Sequence, residues 1–100
     1  MVKFVALYKK PEDPAAFDAW WNEKHLPICK RWPDVERMAA GPVLGAPRGE
    51  SEHHWMFEAV YKDQPTMMAS LMGEAGMEAA MDARASGFGG GMVSFFAQED

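Results

Sequence analysis

Few residues in this chain could do chemistry, and most of them lie near position 25. Only three histidines are present, His25, His53 and His54. His25 closes an aromatic run in which Phe17, Trp20, Trp21, Lys24, His25 and Ile28 recur at spacings of three and four. That spacing puts them on one helical face, with Asp18, Asn22 and Glu23 off it. Pro27 follows two residues later. It has no N–H for the carbonyl of Glu23, its ring crowds that carbonyl, and it disfavours the helical region for Leu26. The helix is therefore expected to kink or break just after His25. An imidazole on a tryptophan-rich face at a helix end suits a positioned acid/base or hydrogen-bonding group facing a pocket. The same pattern also fits a core histidine bonded to a freed carbonyl.

His53 and His54 are neighbours on a predicted strand, so their side chains are expected on opposite faces. They cannot readily share one ion, and neither a His-Glu-x-x-His nor a cysteine-pair spacing occurs, so no metal site is expected. One of the two could join His25 if its face is the helix-covered one. Glu58 lies on the His54 face, where a carboxylate needs a partner. His54 and Glu58 are thus further acid/base candidates, and pairing with Arg or Lys at a strand end or interface is the alternative. Tyr8, Trp20, Trp21, Trp55 and Phe57 are candidates for an apolar substrate wall. Cys29, four residues past His25, is expected to be an inert buried thiol. The Gly87–Gly91 run precedes a strand rather than a helix, so it is no phosphate loop, and no cofactor is expected.

The elements that must hold these residues follow from pattern. Asp13 and Pro14 open the first helix as cap and first residue. Val2–Tyr8 is a strand apolar on both faces, with Phe4, Ala6 and Tyr8 on one and Val5 and Leu7 on the other. Residues 35–42 form a weaker strand whose Gly41 and Pro42 suit a sheet edge. A Gly/Pro-rich loop over 43–51 is long enough to reach over a pocket or a partner chain. His53–Tyr61 is the third strand. Pro65 opens a second helix striped by Met68, Leu71, Met72, Ala75 and Ala79, which Gly73 and Gly76 are able to split in two. Met92–Ala97 is the last strand. The order βαββαβ predicts an α+β ferredoxin-like fold: a four-stranded antiparallel sheet with helices on one face. The uncovered face is too apolar for water, so a homodimer packed sheet to sheet is expected.

Length and composition set the outer bounds. One hundred residues make one domain, 1–100. The formal charge is −5 and no basic run exists, which argues against nucleic acid as a partner. A single cysteine gives no internal disulfide and fits a reducing cytoplasm. The short uncharged run between Lys3 and Lys9 does not read as a signal peptide, and no apolar stretch reaches membrane-spanning length. The partners expected are therefore a second copy and a small hydrophobic ligand, with no membrane.

The opening Val-Lys-Phe-Val-Ala-Leu-Tyr-Lys-Lys-Pro, the Phe17-to-Trp21 helix, the His25-Leu26-Pro27 step and the Gly-rich run into a short final strand together resemble the ethyl tert-butyl ether degradation (EthD-like) family of the dimeric α/β-barrel superfamily. The resemblance implies a ferredoxin-like protomer, a barrel-like dimer and a cleft between sheet and helices, with His25 as the family's His-x-Pro histidine. It also implies cofactor-free acid/base chemistry of isomerase, cyclase or monooxygenase type on a small hydrophobic or aromatic compound, in catabolic or secondary metabolism. The alternative expectation is a non-catalytic dimeric binding protein for such a molecule.

Overall fold

The computed structural model spans residues 1–100 and builds a four-stranded sheet in the order β2-β3-β1-β4, every neighbouring pair antiparallel. The strands are β1 (Val2–Lys9), β2 (Arg37–Pro42), β3 (His53–Tyr61) and β4 (Met92–Gln98). Residues Phe4, Ala6 and Tyr8 of β1 share a face with Trp55, Phe57, Ala59 and Tyr61 of β3, as the register Tyr8↔Trp55 and Ala6↔Phe57 requires. The helices cover that face. The four-stranded ferredoxin-like α+β architecture expected from the element order is the one formed.

The first helix departs from expectation. Asp13 caps it, its carboxylate accepting the Ala16 N–H at 3.1 Å, and Pro14 begins α1 (Pro14–Trp20). Pro27 does not break it. Instead residues Trp21–His25 form a π turn, and the helix runs on through α2 (Leu26–Cys29) with ordinary helical angles at every junction. The Leu26 N–H reaches back five residues to the Trp21 carbonyl. The wider turn removes the conflict: the carbonyl that would clash with the proline ring in a regular helix no longer needs that N–H. His25 and Cys29 therefore lie one helical turn apart after all.

Beyond this helix, Asp34 adopts a left-handed φ of 64° and turns the chain into β2. That turn delays the strand by two residues relative to the expected start at Val35. β2 lies at the sheet edge, as Gly41 and Pro42 predict. The loop after it is exposed along residues 44–50 and contributes nothing to the cavity described below. The second helical region is split at Gly73 into α3 (Gln64–Met72) and α4 (Glu74–Ser86). A Cβ on Gly76 would lie 2.1 Å from the Leu71 carbonyl oxygen, so glycine is what permits this close turn.

Phe17, Trp21, Ile28, Cys29 and Trp32 from the first helical region, with Met67, Ala75 and Ala79, complete the core against the sheet. Trp21 packs between Trp55 and Phe57, with ring centroids 5.5 and 5.4 Å away. The opposite sheet face has no helix. At one end it carries a charged network, with Lys3 3.3 Å and Arg37 3.3 Å from Glu58, and both also bonded to Glu99. Elsewhere on it Met56, Val93 and Phe95 are exposed. No helix is long and apolar enough to cross a membrane.

Candidate functional site

A regular α-helix advances about 100° per residue, so positions five apart diverge by about 140°. Trp20 and His25 are five apart, yet their rings stack with centroids 4.7 Å apart, because the π turn holds an extra residue. The same turn aims His25 at α4. There Ala75, Ala79, Asp82 and Ala83 form the buried stripe, and the alanines let the helices approach closely. Asp82 is the one charged residue on that stripe.

His25 Nδ1 and Asp82 Oδ2 lie 2.9 Å apart, both side chains under a tenth exposed. The Trp20 indole N–H donates to the same oxygen at 3.1 Å, and Lys24 Nζ lies 3.3 Å from Oδ1. A carboxylate accepts only, so in the neutral imidazole the proton sits on Nδ1 and the lone pair on Nε2. Nε2 has no partner within the chain. Burial lowers the pKa of His25 from its ordinary value, and the bond and charge of Asp82 offset only part of that. Burial pushes the Asp82 carboxyl up, but His25 and Lys24 outweigh it and hold the group below the usual carboxylate range. The pair at neutral pH is a carboxylate and a neutral imidazole with a free lone pair.

His25 forms part of the wall of a cavity of about 440 Å³ between the sheet and α4. Phe4, Phe57, Trp32 and Leu71 give it apolar walls, and Gly76, Ala79 and Ala83 leave room for it. No Lys, Arg, Asp or Glu lines it. Ala80, Ser94 and Phe96 line it and are exposed, so it opens between α4 and the edge strand β4. Tyr8 also lines it and is 3% exposed. Burial, then the nearby Cys29, outweighs the Trp21 indole and keeps the Tyr8 hydroxyl protonated well above the ordinary tyrosine range. The cavity thus presents one imidazole, that of His25, and one phenolic hydroxyl, that of Tyr8.

The other candidates read from the sequence fall elsewhere. Glu58 points to the uncovered sheet face and is held by Lys3 and Arg37, away from His25. His54 does not share its face. The β1–β3 register shifts between Tyr8 and Lys9, and the irregularity turns His54 toward the helices, where Nε2 meets Asp18 Oδ1 at 2.8 Å and the ring packs on Phe17 at 5.2 Å. It does not line the cavity. Phe57 and Tyr8 do, whereas Trp20 is spent on Asp82 and Trp21 and Trp55 are buried in the core beside it. Cys29 is fully buried, and burial followed by the Asp82 charge pushes its thiol up to about 12, so it stays protonated. No three His, Cys, Asp or Glu side chains converge in a way that would hold a metal ion.

Asp82 and Trp32 are the residues that sequence reasoning passed over. The signal for Asp82 was present: a carboxylate in register with Ala75 and Ala79 on an apolar helical stripe requires a buried partner. Trp32 lay past the proline and gave no periodic cue; it lines the cavity and donates its indole N–H to the Ala75 carbonyl at 3.2 Å.

A ferredoxin-like protomer with a buried His–Asp pair on an apolar cleft defines the class. No family model matches the chain. Among solved structures it is similar to an ethyl tert-butyl ether degradation (EthD) family protein of Bacillus halodurans, with 30% identity and a TM-score of 0.94 over 100% of this chain and 99% of that one. The chain belongs to the EthD family. It is also 27% identical to an uncharacterized 11.0 kDa protein of Rhodococcus erythropolis encoded in the thcB-thcC intergenic region, over 100% of this chain and 96% of that protein. Two more distant structures share the fold alone. One is a dimeric ferredoxin-like protein of unknown function from Jannaschia sp. CCS1 (14% identity, TM-score 0.74, 99% and 100% of the two chains). The other is SnoaB, a cofactor-independent oxygenase of Streptomyces nogalater (17% identity, TM-score 0.62, 99% and 94%).

Proposed function

We propose that this chain is a small homodimeric enzyme that removes and returns a proton on an uncharged hydrophobic or aromatic compound, with His25 as the general base and Asp82 as its orienting partner. The observation that carries this reading is the free Nε2 of His25 on the wall of an apolar cavity, its other nitrogen tied to Asp82 at 2.9 Å. Nε2 takes the proton of an acidic C–H or O–H. Asp82 stabilises the imidazolium that results, and the dry surroundings strengthen that attraction. Tyr8 Oη donates to the substrate oxygen on which negative charge builds. Isomerisation, ring closure and oxygenation of a carbanion all begin with this step, so the site is compatible with each. The cavity lacks any charged lining residue other than the imidazole, which favours a neutral substrate such as a lactone, phenol or polyketide. That a ferredoxin-like neighbour is a cofactor-independent oxygenase supports chemistry run by the chain's own groups.

The test is a panel of lactones, phenols and polyketides offered to the wild type and to His25→Ala. Turnover should fall by about 10²–10⁴, the usual worth of a positioned acid/base group. Unchanged turnover in a folded His25→Ala protein overturns the reading. Binding that survives or strengthens in His25→Phe, with no turnover found for either protein, favours a non-catalytic carrier instead. The exposed Met56, Val93 and Phe95 support a second copy on the uncovered sheet face, as do solved neighbours described as dimeric. Val93→Glu should convert the dimer to monomer in sedimentation, and a wild type that sediments as a monomer at micromolar concentration refutes the assembly.

A further inference from the structure

Three donors converge on one carboxylate. Asp82 Oδ2 takes the bonds from His25 at 2.9 Å and Trp20 at 3.1 Å, leaving Oδ1 to Lys24 at 3.3 Å. All three donors come from one helix, and the π turn between residues 21 and 25 is what brings them to a single acceptor. Lys24 differs from the other two. Its side chain is 69% exposed, while the Asp82 side chain is 7% exposed, so the ammonium reaches a buried carboxylate from the solvent side. The proton-transfer step uses His25 and Asp82 and gives Lys24 no part.

We propose that Lys24 is a positioning residue for this site: by occupying Asp82 Oδ1 it fixes the carboxylate and weakens its pull on the imidazole proton, so that His25 Nε2 remains a free base into mildly acidic solution. Two physical effects act in the same sense. A carboxylate already bonded to an ammonium is a poorer acceptor for Nδ1–H, and the ammonium repels the imidazolium that would form beside it. Besides His25, Lys24 is the cation that acts on the Asp82 carboxyl. From β1 comes Tyr8, protonated, and from α2 Cys29, whose thiol is pushed up to about 12. From β3 come Phe57 and Trp55, and β4 adds Met92 and Ser94, none of them charged. On α4 Glu78 is bonded to Arg31 at 2.6 Å, and Glu74 lines the same solvent-side hollow as Lys24 and Asp82. The inference rests on the proposed base role of His25 for its consequence, but it is read on the imidazole itself.

The experiment follows the His25 ring signals by NMR across pH on the whole chain, with His25→Ala identifying them among the three histidines. Lys24→Met keeps the aliphatic stem and removes the charge; Lys24→Arg keeps the charge. In Lys24→Met the His25 midpoint should rise by about half a pH unit, the scale set by a largely exposed ion pair. Lys24→Arg should titrate like the wild type. Salt at about 1 M, where screening reaches about 3 Å, should move the wild type toward Lys24→Met and leave Lys24→Met in place. An unmoved midpoint in Lys24→Met, or an equal displacement in Lys24→Arg, overturns the proposal. Turnover that survives His25→Ala would instead sink the catalytic reading and leave this titration standing.

Discussion

Replacing Asp82 by Ala removes the acceptor of two indole and imidazole N–H groups at once. His25 Nδ1 is 2.9 Å and Trp20 Nε1 3.1 Å from the oxygen that disappears, and neither has another partner. Leaving a buried donor unsatisfied costs about 1–3 kcal/mol, the half-buried Trp20 standing at the lower end. The substitution also removes the cost of holding a carboxylate in a largely buried place, which offsets part of the loss. A net destabilisation of about 1–3 kcal/mol follows, and for a chain of this size that lowers Tm by roughly 5–20 °C. Thermal melts followed by tryptophan fluorescence measure it directly, since Trp20 and Trp21 flank the imidazole. Asp82→Asn is the informative companion. Its amide oxygen can still accept from both donors while its charge is gone, so its Tm should fall by less than half as much. Turnover should drop in both variants, because the imidazolium loses its counter-charge in each. An Asp82→Ala protein that melts within about 2 °C of the wild type, a shift worth under about 0.5 kcal/mol, would refute the view that this carboxylate organises the site.

Stability should depend on pH with a stated sign. Burial holds His25 below its ordinary value of about 6.5 in the folded chain, so on acidification the unfolded chain takes that proton first. Its effect is absent above about pH 7 and becomes destabilising as pH falls below about 6.5, whereas the contribution of Asp82, whose carboxyl is held low, persists until pH falls through its folded value below about 4. Urea midpoints at pH 7.5 and 5.5 should therefore differ more in the wild type than in His25→Gln, and equal differences refute the assignment. Gly76→Ala puts a Cβ 2.1 Å from the Leu71 carbonyl oxygen, so the α3–α4 junction must shift; a loss of about 1–3 kcal/mol in urea unfolding is expected. Ala80→Phe at the cavity mouth should weaken binding of the neutral dye Nile red at least roughly tenfold while leaving stability within about 0.5 kcal/mol, as befits an exposed helix position. Unchanged dye affinity would mean that the dye binds elsewhere.

The two-sided apolar strands, the Asp13–Pro14 helix start, the opening of the second helix near Pro65 and the order of elements depend on local chemistry, and they were legible in the amino-acid sequence. The position of His25 on an aromatic face was legible for the same reason, as was the inertness of a lone cysteine among apolar neighbours. Pro27 was misleading because its conflict with a regular helix has two remedies, a break or a wider turn. Which one prevails depends on what the residues after it can pack against, and Ile28, Cys29 and Trp32 all reach the core only if the helix continues. His54 was assigned the face of Glu58 because strand alternation is a local rule, and a register shift against β1 sets it aside.

The sequence by itself therefore determined the elements, the family likeness and the histidine. Tertiary structure decided the rest of the site. Asp82 is 57 residues from His25, and no local rule couples them. Only the packing of α4 across the first helix brings the carboxylate to Nδ1, and that contact sets the tautomer, frees Nε2 and gives a solvent-side lysine a hold on the same group. The cavity has the same origin: it exists because the small residues of α4 face the rings of β1 and β3, a relation between surfaces that no single stretch of chain contains.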